Sequence, residues 1–158
     1  DFEPGELAGG IAWRAGAPFL ARRPSAELRS AEYGVAAHPD AELAVFHFGA
    51  GEGGSVDDNV GRWLDQLTQA DGRSTRDVAE IEERELEGLT LTVVDATGSF
   101  SGVRGTGAEE ARAGFRILGA IVEAPDGLVF FKLLGPVDGV AAAEPGFEDL
   151  LSSIRVSR

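Results

Sequence analysis

Residues 41–48, AELAVFHF, are apolar at almost every position. In an extended chain Ala44, Phe46 and Phe48 share one side, and Leu43, Val45 and His47 share the other. A segment apolar on both sides is covered on both sides, so it predicts a central strand. Residues 89–100, LTLTVVDATGSF, set Leu89, Leu91 and Val93 against Thr90, Thr92 and Val94, a β-branched alternation that predicts a second long strand. Residues 115–124 and 128–135 are two further apolar runs, joined by Pro125, Asp126 and Gly127, which supply the chemistry of a hairpin turn. Residues 78–88, VAEIEERELEG, are too charged for the middle of a sheet and read as an edge strand, turning at Glu87-Gly88. Shorter strands are expected at 28–35 and at 10–14, the latter anchored by Trp13. Residues 15–24 read as a turn-rich connection.

The period changes after residue 54. Val56, Val60, Trp63, Leu64 and Leu67 recur at helical spacing, behind Ser55 as N-cap and Asp58 as its capping-box partner. Asp71-Gly72 is expected to close this helix, with a polar loop at 73–77. A last helix carries Phe147, Leu150, Leu151 and Ile154; it starts at Pro145 or, kinked, near Asp138. Residues 1–10 read as a flexible lead-in and 11–158 as one domain. The polar, Gly-rich segment 101–114 reads as a loop long enough to carry function. Consecutive hairpins, in place of strands alternating with helices, predict an antiparallel sheet and an α+β fold.

Between the central strand and the first helix, Gly49, Gly51 and Gly54 spell the glycine fingerprint of a dinucleotide loop. That chemistry needs a parallel strand on each side of the helix, and the strand that follows is the charged segment 78–88. It also needs a helix N-terminus free to receive an anion. Here Glu52, Asp57 and Asp58 already place carboxylates there. The glycines are expected to make a tight strand-to-helix connection, and no cofactor is expected.

Charge narrows the partners. Against 27 acidic side chains stand 14 basic ones, a net of -13. Such a surface repels phosphate backbones and anionic lipid, which argues against nucleic acid. No stretch has the 18 or more apolar residues of a membrane span, so no membrane insertion is expected. Cysteine is absent, which removes disulfides, thiolate metal sites and a Cys nucleophile. Methionine is absent as well and the chain opens at Asp1, so an upstream segment is expected to have been removed or left out: a signal peptide, a lipoprotein tether or only an initiator or tag, the last of which would favour the cytoplasm.

Four residues stand out as candidate ligand contacts: His47, Trp63, Arg116 and Lys132, with the loop 101–114 beside them. His47 lies in an apolar strand, as a hydrogen-bonded structural histidine does. Trp63 lies on the apolar stripe of the first helix. Arg116 and Lys132, the only lysine, interrupt the two strands of the clearest hairpin. An unpaired charge there is costly. Each either pairs with local acids near a strand end, stem laid along the sheet, or lines a binding site. No metal-ligand spacing, G-x-S-x-G motif or distinct carboxylate pair appears, and no enzymatic function is expected.

The segments FHFGAGEGGSVDDNVGRW (46–63) and GLVFFKLLGP (127–136), with a Trp-containing first strand and a closing Phe-x-x-Leu-Leu-x-Ser-Ile helix, resemble a group of bacterial proteins with a PsbP-like expected fold. The likeness spans most of residues 10–155. It implies the PsbP/Mog superfamily fold, an α/β/α sandwich with a central antiparallel sheet flanked by helices. Known members of that superfamily act by contact, as an extrinsic lumenal subunit of photosystem II and as a Ran-binding nuclear protein. Neither role transfers, because no residue set here matches either surface. The resemblance implies a non-catalytic domain with a protein partner, exported to a bacterial envelope as a periplasmic or lipid-anchored protein. A small-ligand or metal-binding accessory protein is the alternative.

Overall fold

The computed structural model describes residues 6–101 and 112–157. Strands β1 (Glu6–Ala8), β2 (Ile11–Trp13), β3 (Phe19–Arg22), β4 (Arg29–Val35) and β5 (His38–Gly49) precede helix α1 (Val56–Leu64). Then come β6 (Leu67–Thr68), α2 (Thr75–Val78), β7 (Glu80–Leu86), β8 (Leu89–Phe100), β9 (Arg112–Ala124) and β10 (Gly127–Pro136). Helix α3 (Val137–Ser152) and β11 (Arg155–Val156) complete the order.

Eight strands form one sheet, ordered β3-β4-β5-β10-β9-β8-β6, with β7 also on β8. Every pairing is antiparallel. The strand apolar on both faces, β5, lies inside the sheet between β4 and β10 as its composition requires. The charged strand β7 lies at an edge. The turn from β7 to β8 is left-handed at both Glu87 (φ 55°) and Gly88 (φ 80°), the geometry that matches the strand twist of a two-residue hairpin.

Strand alternation divides the apolar residues between the two faces. On one, Leu43, Val45, Leu118, Val129, Phe131 and Leu133 pack against Val140, Phe147 and Leu150 of α3. The small sheet β1-β2-β11 covers the rest of that face, with Trp13 edge-on to Phe131 at 5.0 Å and its indole N–H donating to the Tyr33 hydroxyl at 3.1 Å. On the other face Val94, Ile117, Ile121 and Phe130 pack against Val60, Trp63 and Leu64 of α1.

The fold is α+β, mostly antiparallel sheet with three helices. The expected sandwich walled by helices holds only in this coarse form. One face carries a nine-residue helix, and on the other α3 shares the cover with three strands.

Several boundaries differ from expectation. Residues 6–8, inside the expected lead-in, pair with β2. Residues 19–22 of the turn-rich connection form the edge strand β3. Helix α1 ends at Leu64, and Leu67 turns back to pair with Phe100, so it reaches the core from a strand. Residues 75–77 of the expected loop, with Val78 from the start of the expected strand, form α2. Helix α3 starts at Val137 and holds Pro145 inside it, the earlier of the two expected starts. Most of the loop 101–114 lies outside the described residues; its last three positions belong to β9.

Candidate functional site

The glycine loop caps α1 with its own groups. The Ser55 hydroxyl accepts from the Asp58 N–H at 3.0 Å, and the Asp58 carboxylate accepts from the Ser55 N–H at 3.4 Å, a complete capping box. The buried Asn59 amide donates to the carbonyls of Gly53 and Ser55, both at 2.8 Å, while its own oxygen accepts from Arg62 at 2.7 Å. Gly53 has a φ of 80°, and a Cβ there would stand 2.7 Å from the Phe48 ring, so only glycine fits. The strand before this loop is antiparallel to both neighbours, so no parallel β-α-β unit surrounds it.

The four candidate residues do not converge. The His47 Nε2 lies 3.0 Å from the Asp126 carbonyl, and the Asp126 N–H donates to the Gly9 carbonyl at 2.9 Å. His47 therefore ties β5 to the β9–β10 turn, and Asp126 joins that turn to the β1–β2 turn. Arg116 faces α3, where its guanidinium donates to both Asp95 oxygens at 2.8 and 2.9 Å and to Glu144 at 3.0 Å. The Asp95 hydrogen bonds raise its pKa further above the ordinary arginine value, outweighing the opposing effect of burial. Arg116 is thus a clamp between β9, β8 and α3, which is the local-acid pairing weighed for it.

Trp63 and Lys132 lie over neighbouring strands on the α1 side of the sheet. The Cα partners Arg22, Glu32, Ala44, Lys132, Gly119 and Val94 form one row from β3 to β8. Trp63 stands over Gly119, next in the row to Lys132. Lys132 is not near a strand end. It sits in the middle of β10, and its ammonium donates to the neutral side-chain oxygen of Gln66, just past the end of α1. Burial is the main cause that lowers its pKa to about 8; the positive charge of Arg29 adds to this and the charge of Glu42 opposes it.

Next to Lys132 in the row is a network that the sequence reading missed. Glu32, only 3% exposed, accepts from the Ser25 N–H at 2.7 Å, from the Ser25 hydroxyl at 2.9 Å, and from Arg22. Arg29 lies 3.0 Å from Glu32 and 2.9 Å from Glu42, and Arg22 lies 2.9 Å from Glu42. Burial alone would raise the Glu32 pKa, but the Ser25 bonds and the two arginines together hold it down at about 2. The Arg29 guanidinium also lies over the Phe46 ring, 5.9 Å from its centre.

No residue of β3 or β4 joins the apolar cluster beneath α1. Among the described residues, this wing of the face carries no helix; it holds the charge network and Leu20, 58% exposed, and Leu28, in the connection just before β4, is 67% exposed. Two clefts lie elsewhere on the molecule. One of about 440 Å³ runs between the end of α1 and residues 72–76, and one of about 420 Å³ between α1, Ile81 and Glu123. None of the four candidates lines either. Among the described residues, no group of three or more His, Asp or Glu is placed to hold a metal ion.

No family model and no curated protein matches the chain. Solved structures do. Cyanobacterial PsbP (CyanoP) from Synechocystis sp. PCC 6803 superposes with a TM-score of 0.57 and 13% identity, over 94% of this chain and 87% of that one. A Pseudomonas aeruginosa protein of unknown function gives a TM-score of 0.48 at 12% identity, over 96% and 85%. The chain has a PsbP-like fold, as its 46–63 and 127–136 segments implied. At this identity the likeness is one of fold alone. No described helix is long and apolar enough to cross a membrane.

Proposed function

We propose that this is a non-catalytic binding domain of a bacterial envelope, which docks a protein partner on the open wing of β3, β4 and β5. One observation carries the reading: Leu20 on this wing and Leu28 in the connection leading into it stand in solvent, in segments whose arginines, Arg22 and Arg29, are already fixed in place by Glu32 and Glu42. An ordered charge network needs no further immobilisation when a partner arrives, so more of the contact energy appears as affinity. Exposed leucines beside ordered arginines give a small apolar patch with a polar rim, the composition of a contact surface. Among the described residues, the four-residue strand β3 pairs only with β4, which leaves its other backbone edge beside this patch.

The test is photo-crosslinking in the native cells from positions 20 and 28, with position 81 at the far edge of the sheet as control. A discrete adduct at 20 and 28 that is absent at 81 is the expected result. No adduct at 20 and 28, or the same adducts at all three, would overturn the wing as the docking surface. Fractionation of the same cells tests the envelope: recovery of the chain in the cytoplasmic fraction alone would refute that part.

A further inference from the structure

We propose that Lys132, at the seam between α1 and the open wing, is the receptor for a carboxylate carried on an apolar body. The inference rests on the wing as docking surface and names the chemistry that reaches it.

The position is unusual on several independent counts. Lys132 is the only lysine in the chain and occupies the middle of an interior strand, where an ammonium loses most of its hydration. An ammonium has three donors, and the one partner fixed for it among the described residues is the uncharged Gln66 oxygen. The nearby carboxylates, Glu32 and Glu42, are both committed to Arg22 and Arg29. The cluster thus sets three cations, Arg22, Arg29 and Lys132, against two anions, an excess of one positive charge in a chain of net -13.

That excess selects the ligand. One carboxylate balances it, whereas a phosphate monoester would carry nearly two negative charges to a surface already acidic. The body attached to the carboxylate is apolar because of what flanks the amine. Phe46 and Leu134 point to the same face, belong to the margin of the cluster under α1 and remain partly exposed. The carboxylate comes either from a free acid or from an acidic side chain in a leucine-like context on the partner.

A single lysine makes the test direct, since protein labelled with ¹³C-lysine shows one Cε resonance. Its titration midpoint, about 8 in the free protein, is followed with octanoate, with an acetylated Leu-Glu-Leu amide, and with octylamine and octanol as controls. Octanoate or the peptide is expected to move the midpoint toward the ordinary lysine value of 10.5, while the two controls leave it in place. Movement with octanoate assigns a free acid, and movement with the peptide alone assigns an acidic side chain. Neither acid moving the midpoint would overturn the proposal, as would Lys132→Met protein that is still stabilised thermally by octanoate. If both acids fail while crosslinks from 20 and 28 persist, the carboxylate site falls and the docking surface stands. Octanoate binding without crosslinks gives the reverse.

Discussion

Trp63 stacks directly over Gly119: a Cβ at position 119 would lie 2.9 Å from the indole Cη2 and closer still to Cζ3. The glycine in β9 is therefore the seat of α1 on the sheet. Gly119→Ala is expected to lift the indole and destabilise the fold by about 1–3 kcal/mol, and Trp63→Ala by about 3–5 kcal/mol through the emptied space. Urea unfolding measures both. Unchanged stability in Gly119→Ala would mean that α1 is not held by this contact.

Arg116 joins three elements through Asp95 and Glu144, and its side chain is only 12% exposed. Arg116→Ala leaves two carboxylates on the sheet side of α3 without their cation, and a loss of about 2 kcal/mol is expected. Glu144→Gln should lose less, because the bidentate bond to Asp95 survives. A double-mutant cycle of the two, followed by urea unfolding, would show coupling between them; strict additivity would refute the clamp.

Glu32 gives the fold a specific acid sensitivity. Its pKa is about 2 in the folded chain against an ordinary 4.5, so the unfolded chain binds more protons between those values. The stabilisation is complete above pH 4.5 and drains away as the pH falls toward 2, by about 3 kcal/mol. Glu32→Gln should be less stable at pH 7 and lose less on acidification. Parallel acid titrations of the two proteins would contradict this.

Lys132 shifts stability with pH in the same direction, but as a penalty in place of a gain. Its pKa falls to about 8 on folding, from an ordinary 10.5, so the unfolded chain is the more protonated between these values. Burying the ammonium is then a penalty below pH 8 that is relieved as the pH rises toward 10.5. The stability difference between Lys132→Met and the natural chain should favour the variant at pH 7 and shrink above pH 8. Thermal unfolding at pH 7, 8, 9 and 10 reads it directly.

The cap on α1 predicts a graded pair. Ser55→Ala removes one acceptor and is expected to cost about 1 kcal/mol. Asn59→Ala strips hydrogen bonds from two loop carbonyls and Arg62 at once, and should cost about 2 kcal/mol. Circular dichroism on heating measures each variant, and equal melting temperatures would show the cap to be idle.

The long strands were legible because their alternation is a local property: the two faces of β5 and the β9–β10 hairpin follow from side-chain parity and turn chemistry alone. The cap of α1 was legible for the same reason. Leu67 misled, because a helical spacing from Val60 and Leu64 put it on a stripe whose burial a returning strand supplies equally well. The strand β3 hid between Pro18 and Pro24 in a segment whose only strand evidence is its pairing with β4. Lys132 was visible as a charge out of place. Its neighbours were not, because Arg22, Glu32, Glu42 and Gln66 come from four separate stretches, which sheet register and the end of α1 bring around it. His47 and Arg116 were singled out by the same rule of charge or polarity in an apolar run, yet each spends its polar group on holding elements together.

The acidic strand β7 has a consequence for the behaviour of the protein in concentrated solution. Among the described residues nothing pairs with its outer backbone edge, and such an edge is a template on which further chains can polymerise. Glu80, Glu82, Glu83 and Glu85 stand exposed along it, so two molecules approaching through this edge bring like charges together. The same residues that made the segment unfit for the sheet interior oppose edge-to-edge pairing, and neutralising them would remove that barrier.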